Sequence, residues 1–419
     1  MRFRLTTTLI AILPLLAAGS LVLRAQEIKI AGRPLEVHGS FSQGFMYTNQ
    51  NNYLTDNTTS GSFGLTDGSL NLNYQIFNKL RVGAQVYDRK IGAIGRGTVQ
   101  LDWALVDYRM KDWMGFRAGK VKTVLGLYND TQDSEFLHTW ALLPQSIYPV
   151  DLRESYIAHT GGDIYGDIPL KKLGTLSYTA YAGQRPNDLT GGYAYALGAY
   201  VPTIHVTSYT GLQVGQDVRW ATPVSGLLLG ASHQSQDVNG KGIMFNWAVL
   251  GIPDGSPFRE GTVRDFTNQF YVQYQHRKLR IDGEYRRYWR NHSLYFNNAT
   301  TPFNIASDSR SWYIAGAYRL HKRLEVGAYH SRYYADWNQT HNFRVETFTG
   351  SGDPPDNHIF DWTLTARVDL ASYWNVKIEG HFMDGYGSPD SVHGFYQPQN
   401  PNGFQRTTNL LVVRTGFNF

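Results

Sequence analysis

The chain has 419 residues, no cysteine, 14% aromatic residues and a formal net charge of +5 at pH 7. Beyond the N-terminus no apolar run approaches the roughly 18 residues that a membrane-spanning helix needs, which excludes a helical membrane protein. Without cysteine an exported chain has no disulfides, so its stability has to come from backbone pairing and burial.

The N-terminus has the composition of an export signal. Arginines flank an apolar run from Leu9 to Leu23, and Ala25 offers a cleavage point. We therefore predict a secretory signal peptide over residues 1–25 and a mature domain over residues 26–419. An uncleaved anchor helix is the alternative, which the shortness of the run disfavours. Removing the three arginines of this segment lowers Lys plus Arg from 39 to 36 against 34 Asp plus Glu, so the charge does not indicate nucleic-acid binding.

Short stretches of alternating polarity recur from Leu35 onward. In SLNLNYQI, residues 69–76, apolar side chains alternate with Asn and Gln, and LRVGAQV, residues 80–86, repeats the pattern after a tight join at Asn78 and Lys79. Two such stretches with a tight join predict a β-hairpin. Similar joins fall at Lys111–Asp112, Lys171–Lys172, Pro223–Gly226, Arg277–Lys278, His321–Lys322 and Ser372–Tyr373.

Longer polar segments separate the hairpins and predict loops at the other end of the sheet. They cover residues 48–65, 90–97, 122–153, 183–208, 237–264, 291–307, 336–356 and 384–403. About 16 strands result, with long and short connections in alternation and both termini on the short-turn side. We therefore predict an all-β fold, a transmembrane antiparallel up-and-down β-barrel.

The two faces of the predicted strands support a barrel in lipid. In DWTLTARVDL, residues 361–370, an apolar row lies on one face and a polar, partly charged row on the other, which requires lipid outside and water inside. A soluble β-sandwich is the alternative, but it would bury its apolar rows and need fewer strands. Aromatic residues near strand ends suit the two membrane interfaces. They are Trp103, Trp113, Trp220, Tyr288, Trp289, Trp312 and Trp362.

One short motif suggests an enzyme. His233 and Ser235 lie two residues apart on the apolar face of a strand, and Asp237 continues the row. The His-x-Ser pair resembles outer-membrane phospholipases, in which a histidine activates a serine nucleophile. The alternative is a pair of polar residues near the barrel rim.

The C-terminal stretch LLVVRTGFNF predicts a lipid-facing last strand. Its apolar row is Leu411, Val413, Phe417 and Phe419. With the loop pattern and the stretches RAGKVKTVLGLYND (residues 117–130) and LPQSIYP (residues 143–149), the sequence resembles the general porins of Gram-negative outer membranes, and within them the branch that includes phosphate-selective porins.

The resemblance implies a long third loop that folds into the lumen and narrows it, and a homotrimer in outer-membrane lipid and lipopolysaccharide, with both termini periplasmic. It also implies that the row ending in Phe419 is the assembly signal for the barrel-insertion machinery. Phosphate-selective members typically have series of lysine and arginine side chains. Such series are not evident in this sequence, so the resemblance does not imply anion specificity.

Acidic side chains of that loop, opposite basic side chains of the wall, would create a transverse field across the constriction. The constriction candidates are Tyr128, Asp130, Asp133, Glu135, Arg81, Arg117, Arg219, Arg286 and Arg367. The alternative is that the acidic residues are solvated or pair locally with Arg153.

The sequence thus predicts a water-filled channel for passive diffusion of ions and small hydrophilic solutes, with no cofactor, no metal and no catalysed reaction. Three alternatives stay open: a channel selective for phosphate, a sugar or a polymer; a lipid hydrolase; and an adhesion or structural barrel with a plugged lumen.

Overall fold

The computed structural model describes residues 26–30, 32–95, 97–199, 203–248, 251–338, 354–387 and 393–419. The signal peptide predicted for residues 1–25 lies outside the described residues. Within the described ranges no helix is long and apolar enough to cross a membrane.

The described residues form 19 strands in one sheet and two short α-helices, α1 (Arg153–Tyr156) and α2 (Gly192–Ala199). The strands are β1 (Gln26–Ile30), β2 (Arg33–Thr48), β3 (Ser62–Phe77), β4 (Leu80–Ile91), β5 (Gln100–Lys111), β6 (Met114–Lys122), β7 (Ala158–Pro169), β8 (Thr175–Gln184), β9 (Thr203–Thr210), β10 (Leu212–Ala221), β11 (Leu227–Gln236), β12 (Asn239–Phe245), β13 (Ser256–His276), β14 (Leu279–Phe296), β15 (Phe303–His321), β16 (Leu324–Tyr334), β17 (His358–Ala371), β18 (Trp374–Asp384) and β19 (Thr407–Asn418).

These strands make a closed barrel of 16 antiparallel wall strands. β9 and β10, separated by one residue, form one bent wall strand, and so do β11 and β12, separated by two residues. The reason is that β10 pairs with β11 while β9 pairs with β12. β1 pairs with the start of β2 and adds no wall strand. The last strand, β19, pairs with β2 from Leu410↔Thr48 to Asn418↔Ser40. The predicted barrel and strand number are therefore confirmed.

All seven predicted tight joins lie between paired strands; Arg277 and Lys278, for example, separate β13 from β14. Several predicted loops contain strand residues at their ends: residues 183–208 include the start of β9, and two others differ more from the structure. Residues 237–264 contain β12 and the start of β13, and β14 and β15 extend into residues 291–307. These hairpins continue because their side chains still alternate: in β12, buried and exposed residues follow each other strictly.

The wall has an inside-out distribution of polarity. On β17, Trp362 is 61% and Leu364 60% exposed, whereas Asp361 and Thr363 are buried. An exposed apolar face and a buried polar face fit a barrel surrounded by lipid. Two predicted interface aromatics do not fit: Trp103 lines an inner recess, and the Tyr288 hydroxyl donates to the buried Asp265 at 2.9 Å.

Candidate functional site

The connection between β6 and β7, residues 123–157, is here called the inner loop. It is bonded to the polar face of β18, which is not a sheet neighbour of β6 or β7. The backbone N–H groups of Ala141 and Leu142 each donate to Glu379 at 2.9 Å. Lys377 Nζ donates to the carbonyl oxygens of Glu135 and Trp140 at 2.7 and 2.9 Å. These bonds hold the inner loop against the polar face of a distant strand of the barrel.

Three of the predicted wall arginines hold the inner loop by its backbone. Arg286 Nη1 donates to the Ile147 carbonyl oxygen at 2.7 Å. Arg367 Nη1 donates to the carbonyl oxygens of Phe136 and His138 at 2.7 and 2.9 Å, and Arg219 Nη2 donates to Gly126 at 3.0 Å. Two of these arginines also interact electrostatically with predicted acidic residues of the loop, Arg367 with Glu135 and Arg219 with Asp130. Carbonyl groups of an inward loop need donors, and the wall supplies them.

Tyr128 is also an anchor rather than an open constriction residue. Its side chain is buried, its hydroxyl donates to Asp282 on β14 at 2.7 Å, and its backbone N–H donates to the Tyr148 hydroxyl oxygen at 3.0 Å. The inner loop is thus bonded to β14 at one side and to β17 and β18 at the other.

Two of the predicted acidic residues are paired within this packing. Asp133 lies 2.8 Å from Lys122 Nζ and 3.2 Å from Arg153 Nη2, and Glu135 lies 2.6 Å from Lys377 Nζ. Burial acts to raise both pKa values, but these cations hold the pKa of Asp133 and that of Glu135 below their usual ranges. Asp133 is thus paired locally with Arg153, as in the alternative considered from the sequence, in which the acidic residues do not create a field across the lumen.

Other connections pack on the inner loop at the long-loop end of the barrel. Asp151 is buried and accepts hydrogen bonds from the Tyr396 hydroxyl at 2.5 Å and the Gly394 N–H at 3.0 Å. Burial raises the pKa of Asp151. Tyr396 belongs to a buried apolar cluster that also includes Leu54 and Ala196, from the first and fourth long connections.

An open recess of about 310 Å³ lies along β3 to β6, beside the first residues of the inner loop. Its lining consists of Asn71, Asn73, Arg81, Trp103, Leu105, Arg117, Lys122, Val124 and Asp130. Three predicted constriction residues, Arg81, Arg117 and Asp130, therefore come together here. Arg81 pairs with Asp107 at 3.0 Å and Arg117 with Asp163 at 2.8 Å.

Sequence reasoning missed Asp102, which organises the base of the inner loop. Asp102 lies 2.8 Å from Arg153 and 2.9 Å from Gln85 Nε2, which also donates to Asp133. It is the extra residue of a bulge in β5, since Gln85 pairs with Trp103 and the next residue pairs with Leu101. The apolar residues on both faces of this strand were the available signal for a bulge.

The His-x-Ser pair lies on the outward face, as predicted, because the alternate residues Ser232 and Gln234 are buried. His233 Nδ1 lies 2.8 Å from Asn268 Oδ1. The Ser235 hydroxyl donates to the Asp265 carbonyl oxygen at 3.2 Å. In the part of the chain that the structure describes, no hydrogen bond joins Ser235 to His233.

The predicted assembly row lies at the seam where the barrel closes. Leu411 is 41% and Phe419 39% exposed, while Val413 and Phe417 are half-buried on the same strand. Phe419 and Gly39 exchange backbone hydrogen bonds of 3.0 and 3.1 Å. The C-terminal residue therefore takes part in the pairing of the last wall strand with the first.

Solved structures with this architecture are outer-membrane proteins. The chain is 12% identical to OmpF of Salmonella typhi, solved in complex with daunomycin, with a TM-score of 0.54 and coverage of 94% of this chain and 100% of that chain. For OprB of Pseudomonas putida the identity is 9%, the TM-score 0.54 and the coverage 92% and 94%. For the outer membrane channel DcaP of Acinetobacter baumannii the values are 10%, 0.52, 95% and 100%. No protein-family model and no curated protein match the chain. The likeness shows that the chain has the fold of porin-like outer-membrane barrels.

Proposed function

We propose that the protein is a porin of the Gram-negative outer membrane and forms a water-filled channel for passive diffusion of ions and small hydrophilic solutes. It catalyses no reaction and needs no cofactor in this proposal. The observation that carries it is a closed inside-out barrel whose polar recess lies beside a firmly anchored inner loop. A fixed loop next to a polar, open wall selects solutes by size.

The charges of the recess favour weak ion selectivity. Arg81, Arg117 and Lys122 each have an acidic partner within 3.0 Å, so opposite charges alternate over short distances. Such pairs orient dipolar solutes without producing one strong sign of potential. Phosphate selectivity would require unpaired basic groups in series.

The proposal includes a homotrimer surrounded by lipid and lipopolysaccharide, with both termini periplasmic. It also includes recognition of the terminal strand by the barrel-assembly machinery. These parts rest on the resemblance to general porins and on the last strand, β19, which is followed by the terminal Phe419.

Single-channel current of the purified, folded protein in a planar bilayer tests the channel. We expect stepwise conductance that falls several-fold in Asn71→Trp, because Asn71 lines the recess. Leu72→Trp is the matched control, since the neighbouring Leu72 is 42% exposed on the outer face, and it should conduct like the wild type. Folded protein that conducts nothing would overturn the proposal in favour of a plugged structural barrel.

A substrate-selective channel would differ in the same experiment, because phosphate, a sugar or a polymer would block the current at low concentration.

A lipid hydrolase is a second candidate. The hydrogen bond to Asn268 holds the His233 ring on the lipid-facing side near Ser235, which favours it. Phospholipid hydrolysis that disappears in Ser235→Ala would establish that activity.

A further inference from the structure

A cluster of arginines lies on three adjacent strands, β14 to β16. Arg287 Nε and Nη2 donate to the two carboxylate oxygens of Asp308 at 2.7 and 2.9 Å, and Arg310 Nη2 donates to Asp308 at 2.9 Å. Arg332 follows on the next strand, with its guanidinium carbon 4.5 Å from the centre of the Phe360 ring. Arg287, Asp308, Arg310 and Arg332 are called the arginine patch below.

The arginine patch belongs to the outer face of the barrel. On β15, the alternate residues Ser311 and Tyr313 are buried towards the lumen, whereas Ile314 on the same face as Arg310 is 57% exposed. On β14, Asp282 and Glu284 are buried, and Ile281, on the same face as Arg287, is 38% exposed. The patch therefore continues the apolar outer rows of these strands.

Aromatic rings support the guanidinium groups. Arg287 lies 5.6 Å from the centre of a Trp289 ring, Arg310 4.5 Å from Trp337, and Arg332 5.6 Å from Trp312. Arginine over tryptophan is a favourable cation–π arrangement, and tryptophan is enriched at the boundary between apolar membrane and water. The patch thus has the composition of a membrane interface.

The depth of the patch agrees with such a boundary. On β14, Arg287 is about eight residues above Leu279, the first residue after the short turn. At about 3.3 Å per residue and a strand tilt of about 40°, this places it roughly 20 Å above the short-turn end. The apolar band of a membrane barrel is about 25 Å tall. The arginines therefore lie near the headgroups on the long-loop side.

We propose that the arginine patch is a binding site for the phosphate-bearing headgroup of a membrane lipid, whose acyl chains lie on the apolar rows below. Arg287 and Arg310 share the Asp308 carboxylate, and Asp336 interacts with Asp308 electrostatically, so three arginines and two carboxylates leave an excess of one positive charge. Guanidinium groups bind phosphate through paired N–H donors, and Asp308 fixes the direction of two of them. The inference rests on the proposed membrane location.

A second copy of this chain is a less suitable occupant. Two equivalent patches would bring together positive charges with no phosphate between them, and like charges at an interface cost free energy. A lipid phosphate supplies the missing negative charge, while its chains cover exposed residues such as Ile314 and Trp362.

The test is native mass spectrometry of the folded protein, released from micelles with equal amounts of phosphatidylglycerol and phosphatidylcholine. The wild type should retain phosphatidylglycerol preferentially. The triple variant Arg287→Gln/Arg310→Gln/Arg332→Gln should lose about tenfold or more of that preference, since basic side chains near a membrane surface attract anionic lipids. The matched control removes three positive charges at the short turns, Arg277→Gln/Lys278→Gln/Lys322→Gln, and should keep the preference.

Heat-modifiable migration on gels must show that each variant is folded, and the single variant Arg332→Gln replaces the triple variant if that protein does not fold. Equal retention of both lipids by the wild type would overturn the proposal. So would an unchanged preference in the variant. A change of oligomeric state without a change in lipid preference would assign the patch to a contact between copies of the chain.

Discussion

Lys377 anchors the inner loop through an ion pair and two hydrogen bonds. It is fully buried, pairs with Glu135 at 2.6 Å and donates to two loop carbonyl oxygens. Lys377→Met leaves a buried carboxylate without its partner, which costs about 3–5 kcal/mol. We expect the loop to detach, with faster proteolysis within residues 123–157 and larger fluctuations of the channel current.

Lys278→Met provides the control, because Lys278 is exposed at a short turn, and it should behave like the wild type. Glu135→Gln in the Lys377→Met background should recover part of the anchoring, since the unpaired charge is then gone. Unchanged proteolysis in Lys377→Met would contradict the anchoring role.

His138 makes the inner loop sensitive to acid. Its Nε2 lies 2.9 Å from the Thr131 carbonyl oxygen, and burial lowers its pKa from 6.5 to about 3. The neutral ring therefore stabilises the loop fully above pH 6.5, and this contribution is lost as the pH falls from 6.5 towards 3. Current fluctuations should increase across that window.

The variant His138→Gln keeps a donor for Thr131 but cannot be protonated near neutral pH. Its fluctuations should stay low down to about pH 4, because the cations beside Asp133 and Glu135 hold the pKa values of both carboxyl groups below their usual ranges and keep these ion pairs charged. Identical pH profiles for wild type and variant would show that His138 is not the group responsible.

At the residue scale, the sequence correctly indicated which strand residues face inward and which face outward. It did not indicate the hydrogen-bond partners of the inward-facing side chains. The alternation of Arg367 with apolar neighbours is visible in the sequence, and so is its inward direction. Its hydrogen bonds to Phe136 and His138 join residues more than 200 positions apart. Nothing local to Arg367 encodes whether it faces water or a loop carbonyl.

Among the structural elements, the seam between β19 and β2 has little spare room. A Cβ atom at Gly39 would lie 2.4 Å from Cζ of the Phe419 ring. Gly39→Val should therefore displace that ring and weaken the closing pair by about 1 kcal/mol, the low end for an overpacked site, because the ring is 39% exposed and can move. The weaker pairing would be seen as a lower yield of refolded protein, measured as the fraction with heat-modifiable migration on gels.

Gly380→Val is the matched control in a neighbouring strand. A Cβ atom there meets nothing within 4 Å, so refolding should match the wild type. Equal refolding of both variants would mean that the position of the Phe419 ring does not limit closure.

The short turns and the strand number were predictable because both are local. A period of two residues and a tight join specify a hairpin without knowledge of the rest of the chain. The length of β13 was not predictable in the same way. Residues 237–264 were predicted as a loop, but pairing of residues 256–261 with β12 and of residues 258–261 with β14 keeps them in the sheet.

At the scale of the whole molecule, the barrel interior has a packed side and an open side. The packed side includes Asn375, Lys377 and Glu379 of β18, each fully buried. The open side is the recess along β3 to β6, with Asn73 in its lining. This asymmetry depends on where the inner loop docks, which the sequence of any single element does not contain.

The chain has no cysteine, so single introduced thiols can map the water-filled path. A charged, membrane-impermeant thiosulfonate should modify Asn73→Cys at least about tenfold faster than Asn375→Cys, because thiol modification depends on access as well as on the thiolate. Leu72→Cys, on the exposed apolar face, should stay unmodified while lipid covers it. Modification at Asn73→Cys should also reduce the single-channel current, because the reagent adds volume to the recess. Equal rates at positions 73 and 375 would mean that water reaches both sides of the inner loop, and the path along β3 to β6 would then be wrong even if the protein conducts.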